Sequence, residues 1–112
     1  MEKLTKQKFK ELAQQDIILL DGATGSNLRT AGMPIGVCTE LWVLEHPDVM
    51  KELQRAYVDA GSQIIYAPTF SGNRISLSRY GSEDKLSFLN TKLVALSKDA
   101  SGGRAYVAGD MT

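Results

Sequence analysis

The sequence predicts an α/β fold with parallel strands, and three observations carry that prediction. Short apolar runs, Ile17 to Leu20, then "QIIYAPTF", then "RAYVAGDMT", alternate with stretches of helical periodicity. The runs are too short and too uniformly apolar for an antiparallel sheet with one wet face. Each pair of runs is separated by enough chain for a right-handed helical crossover. A parallel sheet must be covered on both faces. Three strands and two covering helices leave an open edge and part of a face exposed. The 112 residues are therefore expected to be the first part of a larger domain, either a doubly wound sheet or a β/α barrel. The chain stops a few residues past a strand, where an active-site loop would begin.

The elements follow in order. Residues 5–15 read as a short helix with Leu4, Phe9, Leu12 and Ala13 roughly on one side. The run at Ile17–Leu20, closed by Asp21-Gly22, is expected to be a buried strand. Residues 22–45 hold Gly22, Gly25, Gly32, Pro34 and Gly36 and read as a long irregular loop, a length that usually signals function. Pro47 stands at a first helical position; Val49, Leu53, Tyr57 and Ala60 follow at near-helical spacing, and Gly61 supplies the stop. "QIIYAPTF" is the second strand, ending in a turn at Pro68–Gly72. "SEDKLSFLNTKLVALSKDASGG" is the strongest helix, with Ser82 as N-cap, acids in the first turn, and a stripe of Leu86, Leu89, Leu93 and Leu96. "RAYVAGDMT" gives the third strand and the start of a loop.

Composition excludes several classes. The chain is 43% hydrophobic and 23% charged, with thirteen basic and thirteen acidic residues, as in ordinary soluble domains. A neutral balance provides no field for nucleic acid or an anionic membrane surface. No run approaches the roughly 20 apolar residues of a membrane span. The start, "MEKLTKQKFKEL", lacks the apolar core of a signal peptide, so a cytoplasmic location is expected. The single Cys38 excludes an internal disulfide and supplies a quarter of a structural zinc site.

The chemistry concentrates in "ILLDGATGS", residues 18–26. In α/β folds of either kind, ligands bind at the carboxyl ends of the strands. Asp21, Thr69 and Asp110 follow the three runs at that end. Small residues after Asp21 let a ligand approach the backbone, whose amides could hold a carboxylate. An acid beside such amides suits a zwitterion, with Asp21 for an ammonium and Gly22 and Ala23 for a carboxylate. Asp-Gly is also the commonest turn pair, and a plain turn stays open on spacing alone.

Four stretches then carry a resemblance: "LLDGATGSNL", "ELWVLEHPDVMKELQRAYVDAGSQII", "PTFSGNRISLSRYG" and "VAGDMT". Together, in this order and spacing, they resemble the opening of the homocysteine S-methyltransferase family, which includes the amino-terminal module of cobalamin-dependent methionine synthase. The resemblance runs from about residue 17 to Thr112. It implies a (β/α)8 barrel of about 300 residues, of which residues 1–112 would be an N-terminal fragment holding about three strands. It also implies methyl transfer to the thiol of homocysteine, giving methionine. A free thiol with pKa ~8.5 is mostly protonated at neutral pH, and in the family zinc ligation makes it a thiolate.

Residue by residue, the resemblance assigns Asp21 to the homocysteine amino group and the amides of Gly22 and Ala23 to its carboxylate. Alanine at 23, where the family often has glycine, leaves an amide role intact. Thr69 and Asn73 match the loop after the second strand and could line the same pocket. Asp110 departs from the serine or small residue common there. The three zinc-binding cysteines of the family lie late in the barrel, so the resemblance implies no metal ligand and no catalytic residue within this chain, and Cys38 matches no ligand position. The methyl donor, methylcobalamin or another compound, would be met through other domains.

Other residues have plainer readings beside functional ones. Trp42 could shape the pocket mouth or pack the long loop. His46 before Pro47 reads as a cap or surface residue. Arg74, Arg79 and Tyr80 suggest an anion site on paper, which an exposed helical face explains as well. Tyr57 fits the stripe of its helix. Two alternatives stay open: another α/β-barrel enzyme whose "DGATGS" loop binds phosphate or carboxylate, and a non-catalytic piece that works only with a complementing chain. The first lacks both G-x-G-x-x-G and a lysine after the glycines. In isolation the chain is expected to be inactive, marginally stable and prone to self-association through its open edge.

Overall fold

The computed structural model describes residues 2–112. Its order is α1 (Lys6–Gln15), α2 (Gly25–Thr30), α3 (Thr39–Glu45), α4 (Pro47–Asp59), β1 (Ile64–Tyr66), α5 (Arg74–Ser78), a 3₁₀ turn at Glu83–Lys85, α6 (Leu86–Ser101) and β2 (Tyr106–Ala108). β1 and β2 pair in parallel, Ile64 opposite Tyr106 and Tyr66 opposite Ala108. The α/β class with parallel strands and helical crossovers is thus present.

The first expected strand is reduced to one parallel bridge, Leu20 to Ile64. The sheet proper has two strands among the described residues. The expected burial of that run is also corrected: Ile17, Leu19 and Leu20 are 78%, 53% and 46% exposed. An apolar pattern signals burial, but burial needs a second layer. Helices α4 and α6 lie against the sheet, and Val58 of α4 packs with Ile65, Ala105 and Val107. Leu20, Ile64, Tyr66, Tyr106 and Ala108 border a groove of about 920 Å³, together with Leu4, Thr5 and Phe9 of the amino-terminal segment and Val94, Lys98 and Ser101 of α6. Helix α1, capped by Thr5 Oγ1 accepting from the Lys8 amide, buries no residue of its own.

Most of the core lies between helices. Leu28, Met33, Trp42, Val43, Met50, Leu93 and Leu96 form one cluster, and Cys38, Leu77 and Leu89 form a second. Each fully buried leucine removes enough apolar surface to contribute about 2 kcal/mol. The stripe of α6 falls where its spacing placed it. Gly102, at φ +57°, ends that helix in the left-handed region that an L side chain rarely adopts.

Three further details differ from expectation. The supposed irregular stretch 22–45 contains α2 and α3, whose six and seven residues are too few to show periodicity. In α4 the deeply buried line is Met50, Gln54 and Val58, one position beyond Val49, Leu53 and Tyr57, which are half-buried, while Ala60 is exposed. Ser82 precedes the 3₁₀ turn and makes no side-chain cap there; its hydroxyl donates to Tyr80 O at 3.3 Å.

Candidate functional site

The site grows from the point where pairing of the first segment with β1 stops. The Asp21 amide donates to Ile64 O at 3.1 Å. The Asp21 side chain then continues the ladder, Oδ2 accepting from the Tyr66 amide at 3.1 Å. A carboxylate at the strand end thus satisfies a strand donor that has no further main-chain neighbour. Partial burial pushes the Asp21 carboxyl above its ordinary value of 3.8, with the negative charge of Asp110 adding to the rise; the Tyr66 amide and its own amide oppose both.

The backbone leaving Asp21 is held from one side by α4. Tyr57 Oη donates to Ala23 O at 2.7 Å, and Asn27 Nδ2 donates to the same carbonyl at 2.8 Å. The Tyr57 ring lies flush against Gly22, where a Cβ would come within 3.0 Å of Oη and 3.1 Å of Cε1. Among the described residues no acceptor within the chain takes the amides of Gly22 or Ala23. Tyr57, read from sequence as a stripe residue, is therefore a support of this loop. Its spacing with Val49 and Leu53 carried no signal of this role.

The loop after β1 is built differently. Thr69 is 6% exposed; its Oγ1 donates to Asp110 O and accepts from the Asp110 amide, both at 2.9 Å. This reciprocal pair locks the loop to the segment after β2. Asn73 Oδ1 caps α5 by accepting from the Ser76 amide at 2.8 Å. Asn90 on α6 donates to Gly72 O at 2.8 Å. Glu40 of α3, 4% exposed, reaches across to accept from the Ser71 amide at 3.0 Å. Sequence reasoning passed over Glu40 and Asn90, because only the folded chain brings α3 and α6 to this loop.

The structure thus brings Asp21, Gly22, Ala23, Thr69 and Asn73 to the carboxyl end of the sheet, with the polar side chains of Thr69 and Asn73 already engaged in shaping the loops. Trp42 packs in the core, stacked on His46 at a centroid distance of 4.2 Å. His46 is exposed and sits between α3 and α4, its Nδ1 3.0 Å from Trp42 O. Arg74, Arg79 and Tyr80 are exposed at α5. Cys38 is buried beside Leu77 and Leu89, its thiol 3.5 Å from Glu40 Oε2. No set of three His, Cys, Asp or Glu side chains that could hold a metal exists among the described residues. No helix among them is long and apolar enough to cross a membrane.

Comparison with known proteins gives these positions a context. Residues 18–112 match the family described as homocysteine S-methyltransferase. The chain is 28% identical over 113 aligned positions to the methionine synthase of Mycobacterium tuberculosis, with 90% of this chain and 10% of that protein covered. It is 28% identical to the S-methylmethionine–homocysteine S-methyltransferase BHMT2 of Pongo abelii, covering 90% of this chain and 27% of that one. The crystal structure of the metallated homocysteine methyltransferase MmuM from Escherichia coli superimposes with a TM-score of 0.74 at 27% identity, over 90% of this chain and 40% of its own. The chain therefore spans well under half the length of each of these relatives.

Proposed function

The chain belongs to the homocysteine S-methyltransferase family, and on that premise we propose that it supplies the amino-acid cradle of an enzyme that methylates the thiol of homocysteine to give methionine. Asp21 takes the substrate ammonium, and the amides of Gly22 and Ala23 take its carboxylate. Thr69 and Asn73 form the neighbouring wall by fixing the loop after β1. The observation that supports this reading most directly is the pairing of a partly buried carboxylate with two adjacent amides that have no internal acceptor. A zwitterion satisfies both at once, and its ammonium favours the ionised Asp21 that burial disfavours.

In this reading the 112 residues form the first units of a (β/α)8 barrel, and the open edge of the sheet is where further strands would close it. Zinc, when bound, supplies a thiolate nucleophile at neutral pH. The described residues do not fit such a centre, since the one thiol is buried between leucines and bonded to Glu40. We assign the zinc ligands outside this chain and derive no step through the metal. The methyl donor, methylcobalamin or another compound, is assigned to other domains, the setting to the cytoplasm, and self-association to the isolated chain.

The test is homocysteine binding by the protein as its cell makes it. Asp21→Asn removes a charge-assisted contact and is expected to weaken binding about tenfold or more. Binding by the unaltered protein is expected to fall as pH drops through the pKa of Asp21, beginning at higher pH than for an ordinary aspartate. Unchanged affinity in the variant would sink the role given to Asp21. Methionine formation by the 112 residues alone would sink the assignment of zinc outside them.

A further inference from the structure

The contacts of α4 with the loop after Asp21 assign a role to Tyr57 that the family match does not. The Ala23 carbonyl receives two donors, Tyr57 Oη at 2.7 Å and Asn27 Nδ2 at 2.8 Å. A carbonyl with both lone pairs occupied has a fixed direction. Peptide planarity passes that direction to Thr24 N–H in the same trans unit, while the two preceding units, which carry the Gly22 and Ala23 amides, are confined by the Tyr57 ring at Gly22. The Tyr57 ring also covers one side of Gly22 at contact distance. With that side closed, a ligand approaches Gly22 from the side away from the ring.

We infer that Tyr57 is a positioning residue for carboxylate recognition, holding the Gly22–Ala23 backbone so that its free amides face the α-carboxylate of an amino-acid substrate. The inference rests on the homocysteine reading of this loop and deepens it. Tyr57 touches no substrate atom; it acts through the main chain. Glycine at 22 follows from the same contact, because any Cβ there would displace the ring.

The experiment compares two ligands in the protein as its cell makes it. One is homocysteine; the other is aminopropanethiol, which keeps the thiol and the amine and lacks the carboxylate. Tyr57→Phe removes one hydrogen bond and is expected to weaken homocysteine binding about fivefold while leaving aminopropanethiol binding unchanged. A role confined to general stability would weaken both ligands alike, and that result, or no loss with either, overturns the proposal. Asn27→Ala removes the second donor and is expected to show the same selectivity, which keeps the test intact if the tyrosine variant folds poorly. Asp21→Asn in the same assay is expected to weaken both ligands, since both carry the amine. If it weakens neither, the homocysteine reading itself fails, whatever Tyr57 does.

Discussion

The loop at Asp21–Thr24 and the loop at Ala67–Asn73 leave adjacent parallel segments at the same end of the sheet, but they are anchored in unequal ways. The second is fastened from α3 by Glu40, from α6 by Asn90, and from the segment after β2 by the reciprocal bonds of Thr69 with Asp110. Its own Asn73 caps the helix that follows. The first is fastened from α4 by Tyr57, with Asn27 assisting, and among the described residues it leaves the amides of Gly22, Ala23 and Thr24 without an acceptor. A wall needs its polar groups satisfied from within, whereas a binding surface must keep some unsatisfied until the ligand arrives. The contrast separates the part that holds shape from the part that does recognition.

The contrast breaks most visibly at Glu40. Glu40→Ala leaves the Ser71 amide without its acceptor and is expected to cost about 2–3 kcal/mol, read as a lower urea midpoint. Glu40→Gln keeps an oxygen at that position and is expected to lose about half as much. If both variants unfold like the parent, the anchoring from α3 is not what holds this loop. Next in size comes a matched pair of glycines. A Cβ on Gly72 would lie 2.8 Å from Asn90 Oδ1 and 3.2 Å from Thr69 O, whereas one on Gly22 would meet the Tyr57 ring at 3.0 Å. Gly72→Ala is expected to cost about 1–3 kcal/mol of stability by overpacking, because a backbone carbonyl has little room to yield. Gly22→Ala is expected to cost less stability and more homocysteine affinity. The reverse order, by thermal melts and calorimetric binding, would cancel the division of labour.

The smallest expected effect concerns Asp21 in the absence of ligand. Because burial holds its carboxyl above the ordinary value of 3.8, the native state binds this proton more tightly than the unfolded chain. Stability from this group is therefore fully present below the unfolded pKa and is lost as pH rises through the native one. Asp21→Asn is expected to raise the melting temperature slightly at neutral pH, and that gain should vanish in acid. A variant that melts lower at neutral pH would show that the carboxylate serves the wall and not the ligand.

Much of this arrangement was legible in the sequence because its signals are local. The apolar run ending in Asp21-Gly22 marked where pairing with β1 stops, though not a full strand, the leucine stripe at 86–96 marked α6, and Pro47 marked the start of α4. What stayed hidden depends on partners distant in the chain. Ile17–Leu20 looks buried in any parallel sheet, and its exposure follows from the layer that would cover it. Glu40 and Ser71 are 31 positions apart, and Tyr57 and Ala23 are 34 apart; no periodicity reports such pairs. The polar duties of Thr69 and Asn73 were equally invisible, since a hydroxyl or amide facing a ligand and one facing a neighbouring loop have the same spelling.

The buried thiol of Cys38 has a practical consequence. It is the chain's only cysteine, and burial, reinforced by the nearby Glu40 carboxylate, holds it above the ordinary thiol value against the opposing Leu41 and Glu40 amides. An alkylating reagent needs an accessible thiolate, so the folded chain should react slowly and any molecule whose α3 has lifted should react fast. The labelling rate of one native atom then serves as a clock for opening at the place where Glu40 crosses to Ser71, with no engineered probe and no ligand required.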